Sequence, residues 1–338
     1  MKRLSLLFTE KKSLRIVESQ VPVLQAGQVL VRSLVSGISP GTEMLIYRGQ
    51  FPENQMQDEV IPALQGAFTY PFKYGYSLVG QVCDLGPAVK SSWQDRLVFA
   101  FWPHESYFAA SPDQLIPLPP DIGSQDAVFL PNMETAVNFM MDARPILGER
   151  VAIFGQGIVG LLTTALLVGF PLGSLVTLDR YLLRRQKSIE LGATASLDPV
   201  GSDMASRVKE QLGGDADICL ELSGDPAALD QAIAVTGFSG RIVIGSWYGQ
   251  KQAHLDLGGH FHRARLRLIS SQVSSLAPDL TGRWDKSRRL DVAWSMLQRI
   301  KPSRFVTHQF SFEDAAQAYA LIDQAPEDTI QVVLQYPE

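Results

Sequence analysis

Val151-Ala-Ile-Phe-Gly155-Gln-Gly157-Ile-Val-Gly160 runs from an apolar strand through a glycine turn into an apolar helix. Gly155 permits the tight turn, Gly157 lets the backbone approach a pyrophosphate, and Gly160 lets helix and strand pack closely. Ile158 and Val159 open a helix whose positive N-terminus suits that pyrophosphate. A second apolar strand ends at Asp179, the first charge after it and 24 residues beyond Gly155. An acid at about that spacing accepts hydrogen bonds from a ribose hydroxyl. A lone GxGxxG also fits a glycine turn in some other α/β protein; strand, turn, helix and acid together predict a dinucleotide site. The carboxylate favours NAD, because it repels a 2′-phosphate. Arg180, Arg184 and Arg185 follow at once, either as holders of such a phosphate or as a solvated helix face, so NADP stays open. Ser223, Gly245 and Ser246, at the ends of later strands, complete the cofactor-binding candidates.

Working outward, the pattern alternates. It predicts strands over 151–154, 174–178, 218–222, 240–245 and 266–272, with a short one beginning at 196–197. Helices are predicted over 157–170, 182–191, 204–212 and 226–235, and upstream over 126–142 with Ser124 as N-cap. This alternation is the mark of an open parallel sheet. The first 120 residues read differently. Strand runs at 28–36, 77–84 and 97–101, separated by Gly, Pro and Ser turns, predict a barrel-like antiparallel domain. Residues 115–123 hold three prolines, which exclude a regular helix or central strand and mark a domain crossing. Helices over 290–300 and 313–322 precede a last strand over 329–336. The fold class is therefore α/β. A dinucleotide-binding domain spans 124–273, and a substrate domain is made of 1–123 and 274–338.

The 338 residues are 46% hydrophobic and 19% charged, with mean hydropathy near zero, which excludes a disordered or fibrous chain. Thirty basic against 35 acidic residues give a net charge of -5, without the basic excess of a nucleic-acid binder. Two cysteines, Cys83 and Cys219, exclude a disulfide scaffold or an all-cysteine zinc cluster and suit a reducing, cytoplasmic compartment. The apolar stretch 4–8 is too short for a signal-peptide core. The longest uncharged run, 151–178, has the length of a membrane span. Its five glycines and Pro171, and the absence of flanking basic clusters, argue against one.

Several motifs carry a family likeness over essentially the whole chain. They are Gly37-Ile-Ser39-Pro-Gly-Thr-Glu43, Gly75-Tyr76-Ser77 continuing into Leu-Val-Gly-Gln-Val, the Thr135-Ala136 pair, the glycine turn, and Glu221-Leu-Ser-Gly-Asp-Pro-Ala-Ala-Leu229. The chain resembles the medium-chain dehydrogenase/reductase superfamily. That resemblance implies a GroES-like barrel with a Rossmann domain inserted near the C-terminus, a cleft between them, and a homodimer joined through an edge strand of the Rossmann sheets. It also implies metal positions that this chain does not fill. Zinc-dependent members carry cysteine and histidine where Ser39 and Tyr76 stand, and no third ligand is evident around residues 131–133. The cysteine-rich lobe for a second zinc is missing. His260-x-His262 offers two ligands, short of the usual three or four. No zinc is expected. More narrowly, residues 36–43, 72–80, 258–274 and 283–290 are similar to a zinc-free branch that includes the bacteriochlorophyllide hydroxyethyl dehydrogenases.

Without a metal, hydroxyl groups must handle the substrate oxygen. The resemblance would aim Tyr76 and Ser39 at the nicotinamide, Tyr76 as proton donor or as a mere cleft wall, Ser39 as its second. His104, in a turn after a strand, is the third candidate, as a relay or as a packing residue. Glu43 is a candidate for orienting a ribose or a serine, or a helix-start acid. Residues 47–108 hold 13 of 30 aromatics, and Tyr70, Phe72, Tyr74 and Tyr76 alternate. An extended segment would align them on one face, as barrel core or as the wall of a pocket for a bulky hydrophobic or aromatic small molecule. The expected function is a zinc-independent NAD(P)-dependent oxidoreductase for an alcohol/ketone pair. A reductase of a conjugated C=C bond and a non-catalytic NAD(P)H sensor are the alternatives.

Overall fold

The computed structural model describes residues 2–51, 56–58 and 60–337. Contacts divide the chain into two units, 1–131 with 297–338, and 132–296. In chain order the first unit begins with β1 (Lys2–Glu10), β2 (Ser13–Gln20), β3 (Val29–Ile38), α1 (Thr42–Tyr47), β4 (Leu78–Leu85), β5 (Leu97–Ala100), β6 (Tyr107–Ala110) and β7 (Ile116–Pro117). The helices α2 (Ser124–Ala127) and α3 (Leu130–Ala143) lead into β8 (Arg150–Phe154), α4 (Ile158–Val168), β9 (Ser174–Leu178), α5 (Leu182–Leu191) and β10 (Ala195–Leu197). There follow α6 (Met204–Leu212), β11 (Ala216–Glu221), α7 (Pro226–Val235), β12 (Thr236–Ile244), β13 (Arg267–Ser270) and α8 (Lys286–Ile300). The chain returns to the first unit with β14 (Val306–Ser311), α9 (Ala315–Gln324) and β15 (Gln331–Gln335).

The second unit holds one six-stranded sheet in the order β10-β9-β8-β11-β12-β13, parallel at every pairing. Counted from β8, this is the 3-2-1-4-5-6 order of a dinucleotide-binding sheet, and its direction of winding reverses between β8 and β11. Central parallel strands are covered on both faces, which is why Val151, Ala152, Ile153 and Phe154 are all buried and apolar. The uncharged run 151–178 is the heart of this sheet: β8, α4 and β9. Among the described residues, no helix is long and apolar enough to cross a membrane.

The first unit is built on a seven-stranded sheet, β14-β15-β3-β4-β5-β7, with β6 also pairing β3. β3 is flanked on both edges, so its sequence Val-Leu-Val-Arg-Ser-Leu-Val-Ser-Gly-Ile is buried at eight of ten positions. Late in the chain, β15 joins β3 antiparallel, while β14 joins β15 in parallel, a departure from the expected all-antiparallel domain. The hairpin β1–β2 packs Leu6 and Phe8 into a core shared with α1, α9 and β15.

Further expectations meet the structure at the helix of 126–142, the aromatics and the division between units. The helix over 126–142 is two helices, and Gly123, not Ser124, is the N-cap of the first. Pro131 lacks an amide hydrogen and its ring crowds the preceding turn, so it sits at the start of α3 rather than inside a continuous helix. The alternating aromatics 70–76 form no strand. Phe72 and Tyr74 instead join Phe51 and Phe68 in the buried core, stacked or edge-on at centroid distances of 4.7 to 6.2 Å. Most of that aromatic surface is therefore core and not pocket wall. The division between units lies at 131/132 and 296/297, beside the expected domain bounds of 123/124 and 273/274. Both α3 and α8 straddle it, and buried Arg289 of α8 ties the segment after β13 to α3 by bonds to Glu134, Asn138 and the carbonyls of Val273 and Ser275.

Candidate active site

The carboxyl ends of β8, β9, β11 and β12 bring the predicted cofactor residues together. Gly155 follows β8 with φ +96°, and a Cβ there would lie 2.6 Å from the Leu222 and Ser223 backbone. A Cβ on Gly160 would overlap the Gly155 carbonyl oxygen, which accounts for the close packing of α4 on the turn. Gly157 differs from both. It is the N-cap of α4, no side chain caps that helix, and nothing lies within 4 Å of where its Cβ would be. The amides that open α4 at Ile158 and Val159 therefore face space of the kind a phosphate fills.

Asp179 directly follows β9 and is only 7% exposed. Its Oδ2 accepts the Gln156 amide at 2.7 Å and its Oδ1 the Tyr181 amide at 2.9 Å. The acid thus braces the glycine turn, and each oxygen keeps a lone pair for a ribose hydroxyl. Of the three arginines, Arg185 spends its Nη1 on the carbonyls of Asp179 and Arg180. Arg184 lies over the Tyr181 ring with Nη1 3.9 Å from Asp179 Oδ2. Arg180 reaches out to Asp225, Nη2 to Oδ2 at 2.5 Å.

Around β11, the organising group is one that sequence reasoning did not place in the site. Glu221 is fully buried and accepts the Ser223 amide at 2.8 Å, the Ser223 hydroxyl and the Tyr248 hydroxyl. Burial and this carboxylate push the Tyr248 phenol far above its ordinary range. The Gly245 amide donates to the Glu221 carbonyl at 3.0 Å, and the Ser246 hydroxyl accepts the Gly224 amide at 2.8 Å. A charged residue closing the apolar run 218–220 was the available signal for Glu221. The open, uncapped face at Gly157 and the acid at the end of β9 fit a nicotinamide dinucleotide.

The second cluster lies in the first unit. Ser39 follows β3, Thr42 and Glu43 open α1, and Tyr76 precedes β4. The Ser39 hydroxyl accepts the Thr42 amide at 3.3 Å, and Glu43 Oε1 accepts the Ser39 amide at 3.0 Å. This reciprocal arrangement is close to a capping box and fixes the turn. Tyr76 is partly exposed, and the Ser39 and Thr42 side chains beside its hydroxyl act on the phenol. Burial first, and then the Glu43 charge, push the Tyr76 phenol up to about 12 against the lowering effect of those two hydroxyls. At neutral pH it is protonated and a donor. Thr42 was missed because a threonine at a helix start has a sufficient local explanation.

Beneath the hydroxyls runs a buried chain. Glu43 Oε2 accepts from Tyr319 and lies 2.9 Å from His104 Nε2; His104 Nδ1 lies 2.7 Å from Ser36 Oγ, itself 3.0 Å from the Tyr336 hydroxyl. Glu43, His104 and Ser36 have no exposed surface. Both His104 nitrogens are engaged, so the imidazole holds Glu43 and does not face solvent or substrate. Gly75 is needed here: at φ +122°, a Cβ would lie 2.7 Å from His104 Cδ2. Elsewhere His260 bonds the Thr236 carbonyl through Nε2. Among the described residues, no group of three or more His, Cys, Asp or Glu side chains could hold a metal ion.

Residues 159–287 match the family described as zinc-binding dehydrogenase, a span that includes neither Ser39 nor Tyr76. The D-guloside 3-dehydrogenase of Escherichia coli (strain K12) is 24% identical over 98% of this chain and 97% of its own. A short chain alcohol dehydrogenase from E. coli CFT073, solved with NADH, superposes with a TM-score of 0.80 at 20% identity over 99% of each chain. A structure from Sinorhizobium meliloti 1021 bound to NADP superposes with a TM-score of 0.79 at 18% identity, again over 99% of each chain.

Proposed function

We infer, from the premise that this chain belongs to the medium-chain dehydrogenase/reductase superfamily, that it is a nicotinamide-dependent oxidoreductase of an alcohol/ketone pair that works without zinc. The observation that carries the reading is the glycine turn at the switch between β8 and β11, with its uncapped helix and Asp179 beside it. A nicotinamide nucleotide bound there supplies or accepts the hydride. The second unit's residues hold it: amides of α4 toward the pyrophosphate, Asp179 toward the ribose, and the Ser223, Gly245 and Ser246 backbone along the strand ends.

The first unit's residues manage the proton. Tyr76 donates its O–H to the substrate oxygen in the carbonyl-reducing direction, and the Ser39 and Thr42 side chains, which favour the phenolate, ease the release of that proton. Neither hydroxyl is a soft metal ligand. Stoichiometric zinc is therefore not expected, and elemental analysis that finds about one zinc per chain, retained through chelation, would overturn the metal-free reading. The reading as a whole is tested by titrating the protein with NADH and NADPH and then offering a panel of ketones and secondary alcohols while following the nicotinamide absorbance. The cell compartment is proposed as cytoplasmic. A homodimer is proposed through β13, which pairs only with β12 among the described strands.

NAD is the proposed cofactor. Asp179→Ala is expected to weaken NADH binding by about 1.5–3 kcal/mol, the scale of a charged hydrogen bond, and to narrow the preference over NADPH. Much tighter binding of NADPH by the wild type, seen in the same fluorescence titration, would transfer the choice to the arginines.

A further inference from the structure

Asp225 follows β11, two residues beyond Ser223. It is the N-cap of α7: its Oδ1 accepts the Ala227 amide at 3.0 Å, and Pro226 follows as the first helical residue. Its own amide donates to the Ser223 hydroxyl at 3.0 Å. One carboxylate oxygen and the backbone amide of Asp225 are thereby fixed, and the more exposed partner in its ion pair is Arg180. Arg180 adjoins Asp179, the residue whose carboxylate faces the ribose in the reading above. Of the neighbouring cations, Arg185 is committed to two carbonyls and to Asp198 at 3.3 Å, and Arg184 is 15% exposed against Tyr181. The Arg180 side chain is 63% exposed, the most accessible guanidinium of the three for a ribose 2′-phosphate.

We propose that Asp225 is a specificity-determining residue: by holding the Arg180 guanidinium away from the ribose, it disfavours a 2′-phosphorylated dinucleotide. The proposal rests on the dinucleotide reading and adds a second discriminator to Asp179. The two act differently. Asp179 repels the phosphate at close range, whereas Asp225 removes the cation that would otherwise neutralise it.

The experiment compares NADH and NADPH, and the fragments 5′-AMP and 2′,5′-ADP, by fluorescence titration and calorimetry on the full chain. Asp225→Asn keeps an oxygen for the α7 cap, since asparagine caps as well as aspartate, and removes only the charge. It is expected to tighten NADPH and 2′,5′-ADP by about fivefold, the upper range for releasing an exposed ion pair, with NADH and 5′-AMP nearly unchanged. Adding Arg180→Ala to Asp225→Asn should abolish the gain, because the two residues act as one unit. An unchanged ratio in Asp225→Asn, or a gain that survives the loss of Arg180, overturns the proposal while leaving the dinucleotide reading intact. A wild-type protein that binds none of the four ligands overturns both.

Discussion

Tyr76→Phe is expected to lower turnover by about 10²–10⁴-fold, the usual contribution of a positioned proton donor. The substitution keeps the ring and its edge-on contact with Tyr74 at 6.3 Å, and removes only the hydroxyl that meets Ser39 and Thr42. Nucleotide affinity should hardly change, because the glycine turn and Asp179 belong to the other unit. Ser39→Ala should lose less, since Thr42 still favours the phenolate that donation leaves. The pH dependence follows from the phenol's position near 12: the donating form persists through neutral pH and is lost only as pH rises toward that value. Initial rates of ketone reduction for wild type and variant, measured at saturating NADH, decide the matter; near-wild-type turnover in Tyr76→Phe makes the residue a wall and not a donor.

Arg289→Met should destabilise the second unit by about 3–5 kcal/mol, the cost of leaving a buried ion without its partner. Arg289 is fully buried, with Nη2 2.8 Å from Glu134 Oε1 and Nη1 2.6 Å from Asn138 Oδ1. Methionine fills much of the space but leaves the Glu134 carboxylate, the Asn138 oxygen and the Val273 and Ser275 carbonyls without donors. Urea unfolding followed by circular dichroism reads the effect. Adding Glu134→Gln should recover part of the loss by removing the uncompensated charge, and a single variant as stable as wild type would show that water replaces the guanidinium there.

The parallel sheet was legible because its signals are local. Each strand and helix of residues 150–270 carries its own period, and the glycine turn states the backbone's requirements within ten residues. The hydroxyl cluster was half legible: Ser39 and Tyr76 stood out by what they replace, but their contact with Thr42 depends on the turn into α1. The buried chain below them could not be read. Ser36, Glu43, His104, Tyr319 and Tyr336 come from β3, α1, a loop before β6, α9 and the segment after β15, and no periodicity links them. The aromatics at 70–76 were readable as core or as pocket wall, and alternation alone does not separate the two. Alternation suggests a strand, yet this segment pairs only at Phe72 with Phe8, and its rings turn inward because α1, α9 and the β1–β2 hairpin leave an apolar volume to fill.

The pairing of β3 with β15 also sets an order of assembly during synthesis. Residues 35–38 of β3 pair with 332–335, and Gln331 Nε2 donates to the Ile38 carbonyl across 293 residues of sequence. On a chain emerging from the ribosome, β6 can cover residues 29–32 of β3 early, but the rest of that edge waits for the last strand to be translated. The 132–296 unit is continuous and is exported whole before then. The unit whose synthesis starts first is thus the one completed last. An apolar strand edge left open for that interval is the kind of surface that chaperones shield and that interrupted translation would expose.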